Sequence, residues 1–184
     1  MRVKWGVLIS GNGSTLQSIL DCQDILDVTV VISSRASAYG LARARRAGVP
    51  TEIVPKFENK KDAEEWICQT LEKYRVHYIF LAGFMRIVSG QLINKYKGKI
   101  FNIHPSLLPK YKGINGFEQA LEAGDDDAGV TVHRVALEVD SGENILQNRF
   151  KIPFHRDKDL SQLWLHINEK RALIESMRKI SCQK

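Results

Sequence analysis

VKWGVLISGNGSTLQSIL, residues 3–20, is the stretch that decides the fold. Residues 3–9 form a nearly continuous apolar run, which is typical of a strand buried on both faces of a parallel sheet. A glycine loop follows, and Leu16, Ile19 and Leu20 then recur with helical spacing. The stretch therefore predicts a strand, a tight loop and a helix, which is the first unit of an α/β fold.

The loop at residues 10–14, SGNGS, has the features of an anion-binding site. Glycines let backbone amides approach an anion, and the start of a helix adds partial positive charge. A tight turn that merely needs glycine is the alternative, and the flanking strand and helix favour anion binding over it. Leu16 replaces the third glycine of the dinucleotide fingerprint, and no carboxylate ends the second strand. We therefore expect a monophosphate there rather than NAD. Arg35 leaves NADP as a remote alternative.

Strands and helices alternate along the rest of the chain. Predicted strands lie at residues 28–32, 51–54, 77–82, 101–104, 130–135 and 145–152, and predicted helices at 36–47, 60–74, 90–96, 116–124 and 159–176. The alternation predicts an α/β, Rossmann-like fold with a mostly parallel central sheet flanked by helices. An acidic loop joins the last two strands, which we expect to form an antiparallel pair. In the last helix, the expected apolar positions are Leu160, Leu163, Trp164, Ile167, Leu173 and Ile174.

The composition is that of an ordinary globular protein that can bury a core, with 184 residues, 43% of them hydrophobic and 26% charged. The net charge of +6 favours anionic partners, but the basic residues are dispersed and form no recognition motif. We therefore expect small anionic substrates rather than nucleic acid. No apolar run is long enough for a signal peptide or a membrane span, which predicts a cytoplasmic protein without a membrane partner. Cys22, Cys68 and Cys182 have neither disulfide-framework nor metal-site spacing.

Residues 101–113, FNIHPSLLPKYKG, present an amide and an imidazole together at the end of a strand. Asn102 and His104 are two positions apart, so in an extended chain both side chains lie on the same side; Pro105 disfavours a helical His104. Such a pair can donate to a developing oxyanion and carry a proton near neutral pH. A polar pair that merely caps a loop is the alternative. Asp140, in the later acidic loop, is the expected third member, because a carboxylate stabilises a protonated imidazole.

Three predicted strands end in these candidate segments, at residues 11–14, 83–88 and 102–104. Ligands of open α/β sheets bind at the carboxyl ends of the strands, which favours a functional interpretation of all three segments. Two other polar features are expected to be structural. His133 lies inside a predicted strand, and the acidic run at residues 125–127 is expected to be a solvated turn rather than a metal site.

Four stretches match a known family in order and spacing: ISGNGSTLQSI at residues 9–19, FLAGFMRIVS at 80–89, FNIHPSLLPKYKG at 101–113, and VTVHRV with VDSGENILQ within 130–147. On these stretches the chain resembles the phosphoribosylglycinamide formyltransferases over nearly its whole length. The HPSLLP stretch alone is also similar to formyltransferases that act on methionyl-tRNA or sugar nucleotides, and to formylfolate hydrolases. The SGNGS loop favours the glycinamide ribonucleotide enzymes.

The resemblance implies the formyltransferase fold, as a single domain over residues 1–184. Residues 1–100 would be its phosphate-binding half and residues 101–184 its catalytic and folate-binding half. The implied reaction transfers the formyl group of 10-formyltetrahydrofolate, as cosubstrate and without a metal, to the amine of N1-(5-phosphoribosyl)glycinamide in de novo purine (IMP) biosynthesis. A monomer or homodimer is expected. The alternatives are a 10-formyltetrahydrofolate hydrolase, a formyltransferase with another amine acceptor, and an inactive phosphate- or folate-binding relic.

The resemblance also implies site residues, position by position. The catalytic trio would be Asn102, His104 and Asp140. Substrate contacts would come from Asn12, Gly13, Ser14 and Thr15 at the phosphate, Gly83 near the glycinamide and Glu169 at the ribose. Folate contacts would come from Lys60, Met85, Arg86, Ile87, Val88, Asn102, Ala136, Leu137, Glu138, Val139 and Asp140.

This chain departs from the family pattern at a few positions. Lys60 stands where close relatives commonly have arginine, and a point charge recognises a carboxylate less specifically than a guanidinium fork. Lys112 and the loop at residues 114–117, in which Asn115 replaces a common histidine, are also unusual. We expect these departures to affect efficiency more than the class of reaction.

Overall fold

The structure, a computed structural model, describes residues 2–152 and 157–182. The chain divides into two compact units. Unit 1 comprises Met1–Phe101 and Ser181–Lys184, and unit 2 comprises Asn102–Ile180. No helix in the described ranges is long and apolar enough to cross a membrane.

Unit 1 is built around parallel strands. Its strands are β1 (Lys4–Ile9), β2 (Asp27–Ser33), β3 (Thr51–Ile53) and β4 (Tyr78–Leu81), and its helices are α1 (Ser14–Leu20), α2 (Gly40–Arg46), α3 (Lys60–Lys73) and α4 (Gly90–Lys95). The strand order is β3-β2-β1-β4, and β1 pairs in parallel with both β2 and β4. A fifth strand, β5 (Ile100–His104), begins in unit 1 and ends in unit 2.

The predicted first strand is confirmed as a fully buried one. Every residue of β1 after Lys4 is buried. The Trp5 ring lies 5.3 Å from that of Tyr78 and 5.9 Å from that of Phe101, measured between centroids. Burial on both faces is the reason why this strand has no polar alternation in its sequence.

Unit 2 contains the antiparallel part of the fold. After the end of β5 it has α5 (Gly116–Glu122), β6 (Asp127–Arg134), β7 (Asn144–Lys151) and most of α6 (Lys158–Cys182). The strand order is β5-β6-β7, and β6 and β7 are antiparallel. The fold class predicted from the sequence, a mostly parallel α/β sheet with an antiparallel C-terminal strand pair, is confirmed.

Two boundaries differ from the sequence prediction because tertiary contacts decide them. Helix α2 begins at Gly40 rather than at residue 36, and the Gly40 N–H donates to the Gly11 carbonyl. Asp127 is the first residue of β6 rather than part of a solvated turn, and its carboxylate lies 3.3 Å from the Lys151 ammonium opposite it.

The last helix buries a different face from the one expected, whereas α3 buries its apolar residues Ala63, Ile67 and Leu71. The buried face of α3 also includes Glu64, while Trp66 is half-buried. In α6 the predicted apolar positions divide: Leu173 is buried and Ile174 half-buried, whereas four are exposed, namely Leu160, Leu163, Trp164 and Ile167. Helix α6 is therefore apolar on two sides.

Candidate active site

The His104 ring lies at the end of β5 and is held by both of its nitrogens. Nε2 lies 2.7 Å from the Tyr111 carbonyl oxygen, and Nδ1 lies 3.3 Å from Asp140 Oδ2. A carbonyl oxygen only accepts hydrogen bonds, so Nε2 carries the proton in that contact. The ring is buried, and a proton on Nδ1 would therefore be stabilised chiefly by the carboxylate.

Asp140 is the centre of this cluster. Its Oδ2 also accepts a hydrogen bond of 3.0 Å from the Gly113 N–H, and its Oδ1 lies 3.3 Å from Nε2 of His133. Burial raises the pKa of Asp140, but the hydrogen bond with His133, the Gly113 N–H and the charge of His104 together outweigh it. The pKa of this carboxyl consequently lies below its ordinary value, and Asp140 is a carboxylate at neutral pH.

The backbone of Asp140 adopts a left-handed conformation, with φ of 50°. Few residues other than glycine take this conformation without strain, and aspartate is among the more tolerant. The acidic loop between β6 and β7 therefore turns the Asp140 carboxylate inward, beside His104, while neighbouring side chains of the loop face outward.

His133 joins the predicted trio, although the sequence favoured a structural role for it. Its Nδ1 donates to the Arg134 carbonyl at 2.9 Å, and its Nε2 lies 3.4 Å from the Asn102 amide nitrogen. A neutral His133 can accept from Asn102, and a charged one donates to Asp140. His133 thus links Asn102 to Asp140. The available signal was its place in β6, the strand next to β5.

Gly116 is a further residue that the sequence did not identify. A Cβ atom at this position would lie 2.9 Å from His104 Nε2 and 2.9 Å from the Tyr111 carbonyl oxygen. Only glycine lets α5 begin this close to the imidazole. The unusual loop at residues 114–117 therefore meets His104 at Gly116, whereas Ile114 is 84% exposed.

The rest of the acidic loop is open to solvent. Leu137 is 72% exposed and Val139 is 52% exposed, and Ala136 is half-buried. Glu138 is paired with Lys112, whose ammonium lies 3.1 Å from its carboxylate. Lys112, which is unusual for the family, therefore contacts the solvent-exposed side of this loop.

Glu169 lies on α6, and its hydrogen-bond partner is on its own helix. Its Oε2 lies 3.0 Å from Nδ1 of His166. Burial raises the pKa of Glu169 above its ordinary value, and the hydrogen bond with His166 opposes this shift without cancelling it. Glu169 is therefore a half-buried acid that lies outside the His104 cluster.

In unit 1, the predicted anion loop connects β1 and α1. Gly13 has a φ of 75°, and a Cβ there would lie 2.7 Å from the Gly40 Cα, so both the conformation and the contact require glycine. Helix α1 begins at Ser14, and Gly13 supplies no side-chain cap. The first-turn amides, including that of Thr15, are thus left without a capping side chain.

Arg43, on α2, fixes the same loop and was missed by sequence reasoning. Its guanidinium donates to the Asn12 carbonyl at 2.9 Å, to Asn12 Oδ1 at 3.3 Å and to Gln17 Oε1 at 3.2 Å. The group also lies over the Tyr39 ring, 4.9 Å from its centroid. Arg43 therefore holds Asn12 in place and adds a positive charge at the anion loop.

The segment after β4 is joined to the anion loop through Ser10. The Met85 N–H donates to Ser10 Oγ at 2.8 Å. Gly83 turns the chain with a φ of 71°. The side chains of Met85 and Ile87 are 75% and 70% exposed, and Val88 is half-buried. This segment presents a mainly apolar rim that no other part of the described chain covers.

A cleft of about 430 Å³ lies beside that rim in unit 1. It is lined by Phe57, Glu58, Asn59, Lys60, Ala63, Arg86 and Ile87. Lys60 and Arg86 give the cleft two positive charges. Lys60 also lies 3.9 Å from Glu64, a buried acid that accepts hydrogen bonds from the backbone N–H and the hydroxyl of Ser89. Glu64 thereby anchors the residue that follows the rim.

No group of three or more His, Cys, Asp or Glu side chains in the described ranges is arranged to hold a metal ion. The three cysteines are free thiols. Burial raises the pKa of the Cys68 thiol to about 11, so it remains protonated at neutral pH.

Known proteins are similar to this chain over most of its length. The sequence profile of the family described as formyl transferase matches residues 3–177. The chain belongs to the formyl transferase family. Over 166 aligned residues it is 41% identical to the phosphoribosylglycinamide formyltransferase of Haemophilus influenzae. The aligned region covers 87% of this chain and 77% of that protein.

Two further proteins of the family match most of the length of this chain. The chain is 42% identical over 168 residues to the human trifunctional purine biosynthetic protein adenosine-3, covering 88% of this chain but only 16% of that much longer protein. The crystal structure of glycinamide ribonucleotide transformylase 1 from Symbiobacterium toebii superposes with a TM-score of 0.92 at 39% identity, over 98% of this chain and 88% of that one. The formyl transferase fold therefore extends over nearly all of this chain.

Proposed function

We propose that this protein transfers the formyl group of 10-formyltetrahydrofolate to the amine of N1-(5-phosphoribosyl)glycinamide, a step of de novo purine biosynthesis. The observation that carries the proposal is the buried contact of 3.3 Å between His104 and Asp140, in a chain of the formyl transferase family. Acyl transfer to an amine needs a stabilised oxyanion and a route for one proton, and this cluster can supply both.

Asn102 and His104 stabilise the charge that develops on the formyl oxygen when the amine attacks. The Asn102 amide donates a hydrogen bond, and the protonated imidazole supplies positive charge. Both nitrogens of His104 are engaged with the Tyr111 carbonyl and Asp140. Direct donation from Nε2 to the oxyanion therefore requires that it exchange the Tyr111 carbonyl for the substrate, whereas electrostatic stabilisation requires no exchange.

Asp140 keeps the imidazole charged and assists the movement of the proton. The attacking amine must lose a proton, and the nitrogen of the departing folate must gain one. Because the pKa of Asp140 lies below its ordinary value, the carboxylate is present throughout the neutral range. It can accept the amine proton, directly or through water, and pass that proton to the departing folate nitrogen while His104 remains charged.

The two substrates are recognised by different kinds of surface. The anion loop of unit 1, Asn12, Gly13, Ser14 and Thr15, binds the ribonucleotide phosphate, and Arg43 supports it by holding Asn12. Gly83 adjoins the glycinamide and Glu169 binds the ribose. Folate contacts the apolar rim at Met85, Arg86, Ile87 and Val88 and the loop formed by Ala136, Leu137, Glu138, Val139 and Asp140, while Lys60 receives its glutamate carboxylate.

The test is a formyl-transfer assay on the purified chain, with glycinamide ribonucleotide present and then omitted. Release of tetrahydrofolate only when the ribonucleotide is present is the expected result. Release that is independent of the amine would instead identify a hydrolase. Absence of release in both arms, with the ribonucleotide still bound in calorimetry, would identify an inactive relic or a different acceptor. A cytoplasmic location remains the expectation from the sequence.

A further inference from the structure

Glu64 is a buried acid of unit 1 that the proposed chemistry does not use. It belongs to α3 and is 5% exposed. A buried carboxylate costs free energy unless hydrogen bonds compensate for its lost hydration. Its Oε1 accepts a hydrogen bond of 2.7 Å from the Ser89 N–H, and its Oε2 accepts one from the Ser89 hydroxyl. Both oxygens of the carboxylate are thus attached to the same residue.

Ser89 directly follows the apolar rim, residues 85–88, and fixes its end. The Ser89 hydroxyl also caps α4, because it accepts a hydrogen bond of 3.3 Å from the Gln91 N–H. The other end of the rim is held at Met85, whose N–H donates to Ser10 Oγ. The backbone of the rim is therefore held at both ends, while its apolar side chains at positions 85 and 87 remain mostly exposed.

The helix that carries Glu64 also carries Lys60, the residue proposed to receive the folate glutamate. The two are four positions apart, so they lie on the same side of α3. The Lys60 ammonium is 3.9 Å from Glu64 Oε1, which is longer than a hydrogen bond, and the Lys60 side chain is 52% exposed. Lys60 therefore keeps its donors available for a ligand carboxylate.

A small cavity of about 20 Å³ lies between α3 and the rim. Its lining includes Lys60, Glu64, Arg86, Ile87 and Val88. The larger cleft of about 430 Å³ is also lined by Lys60, Arg86 and Ile87. Lys60 and the rim thus face the same space, and Glu64 connects the helix that carries one to the segment that carries the other.

We propose that Glu64 is a positioning residue for the formyl donor, because it sets the separation between Lys60 and the rim. The inference rests on the proposed function, in which folate contacts the rim and its glutamate carboxylate reaches Lys60. A molecule that makes both contacts gains the full affinity only when the two are the right distance apart. The hydrogen bonds to Ser89 fix that distance, since they attach the rim to α3. Glu64 acts through Ser89 rather than by touching the donor.

The first experiment measures binding of tetrahydrofolate and of tetrahydropteroate, the same molecule without its glutamate, by calorimetry on the full chain. Glu64→Ala should weaken tetrahydrofolate binding by about tenfold, because the two contacts lose their fixed separation. Tetrahydropteroate, which has no carboxylate to reach Lys60, should be weakened less.

The matched control is Glu65→Ala, at the next position of α3. The Glu65 carboxylate also joins α3 to α4, but it does so by accepting a hydrogen bond of 2.7 Å from the Gln91 side-chain amide. This variant removes a link between the same two helices without releasing Ser89. It should change the affinity for tetrahydrofolate by no more than about twofold.

Two conservative variants separate the position of the carboxylate from its charge. Glu64→Gln keeps the length of the side chain, and its amide can accept from the Ser89 N–H and donate to the hydroxyl oxygen. Glu64→Asp keeps the charge but is one methylene shorter. Glu64→Gln should therefore retain most of the affinity for tetrahydrofolate, and Glu64→Asp should lose it. The reverse order would show that Glu64 acts through its charge on Lys60, and it would overturn the proposal.

Steady-state kinetics distinguish this role from a general contribution to the fold. In the formyl-transfer assay, Glu64→Ala should raise the KM for the donor, while kcat and the KM for the ribonucleotide are retained. A general weakening of the fold would change all three values. Circular dichroism and thermal melting verify that each variant is folded, and the Glu64→Gln and Glu64→Asp pair decides the matter if Glu64→Ala does not fold.

The proposal is overturned if Glu64→Ala binds tetrahydrofolate as tightly as Glu65→Ala does, or if it loses affinity equally for tetrahydrofolate and tetrahydropteroate. Failure of the proposed function has a different signature, because the unsubstituted chain would then neither bind tetrahydrofolate nor release it in the assay. That result would overturn the inference together with the proposed function.

Discussion

The His104 cluster of unit 2 and the rim of unit 1 at Met85 and Ile87 are organised in opposite ways. His104 is 4% exposed, and both of its ring nitrogens already have partners within the chain. The rim side chains are 75% and 70% exposed and apolar. One region is complete without a ligand, and the other presents a surface that a ligand could cover.

The difference reflects what each region has to do. Groups that stabilise charge in a transition state must be oriented before the reaction, because reorienting them during it would raise the barrier. An apolar contact surface needs no such order, since its contribution arises when the ligand removes it from water. Changes in the cluster should consequently reduce turnover, and changes in the rim should reduce affinity.

The largest effect is expected from His104→Ala, which removes the imidazole ring from the cluster. Turnover in the formyl-transfer assay should fall by about 100-fold or more. The matched control is His77→Ala in unit 1, which should retain its turnover per folded molecule. An unchanged rate in His104→Ala would show that the cluster is not the reaction centre.

Asp140→Asn should have the next largest effect, because it keeps the shape of the side chain and removes its charge. Turnover should fall by roughly 10- to 100-fold, the range of a lost positioned acid–base group. The steady-state rate at neutral pH measures this, with circular dichroism as the check on folding. A change in KM alone, with kcat retained, would assign Asp140 to substrate affinity, like the rim, rather than to turnover.

The same substitution makes a prediction about stability and pH. A carboxyl whose folded pKa lies below its ordinary 3.8 contributes stability that is present above pH 3.8 and is lost as the pH falls through the folded value. Urea unfolding should find Asp140→Asn less stable than the unsubstituted chain at pH 7, and the gap should narrow in acid. A constant gap from pH 7 to pH 2 would contradict the assigned ionisation.

Gly116→Ala should damage the cluster through packing alone. The added methyl group would lie 2.9 Å from His104 Nε2, so either α5 or the ring must move. We expect a loss of about 1–3 kcal/mol in the free energy of unfolding, together with reduced turnover. Gly11→Ala is the control for unfolding only, because a Cβ there meets nothing within 4 Å. Equal stability of the two variants would show that α5 adapts without cost.

The smallest effect on the fold is expected from the double variant Met85→Ser and Ile87→Ser. Both side chains are mostly exposed, so the free energy of unfolding should change by no more than about 0.5 kcal/mol for each. The KM for the folate donor should rise several-fold while kcat is retained. A loss of kcat with unchanged KM would contradict this, because it would show that the rim, like the His104 cluster, acts on turnover rather than on affinity for folate.

Local patterns were sufficient for much of the fold. The apolar run of β1, the spacing of Leu16, Ile19 and Leu20, and the acidic loop between two strands each depend on residues that are close in sequence. Asn102 and His104 could be paired for the same reason, since they are two positions apart on one strand. The contact of Asp140 with His104 was an expectation that the sequence could not establish, because the two residues are 36 positions apart.

The sequence by itself determined the class of fold and the family, because periodicity and short motifs are local properties of the chain. Only the tertiary structure decided that His133 completes the cluster, that Gly116 lies against His104, and that Arg43 holds the anion loop. It also decided which side of α6 is buried, because several apolar positions of that helix could have packed inward. Contacts between distant segments depend on how the elements pack, and periodicity carries no information about that.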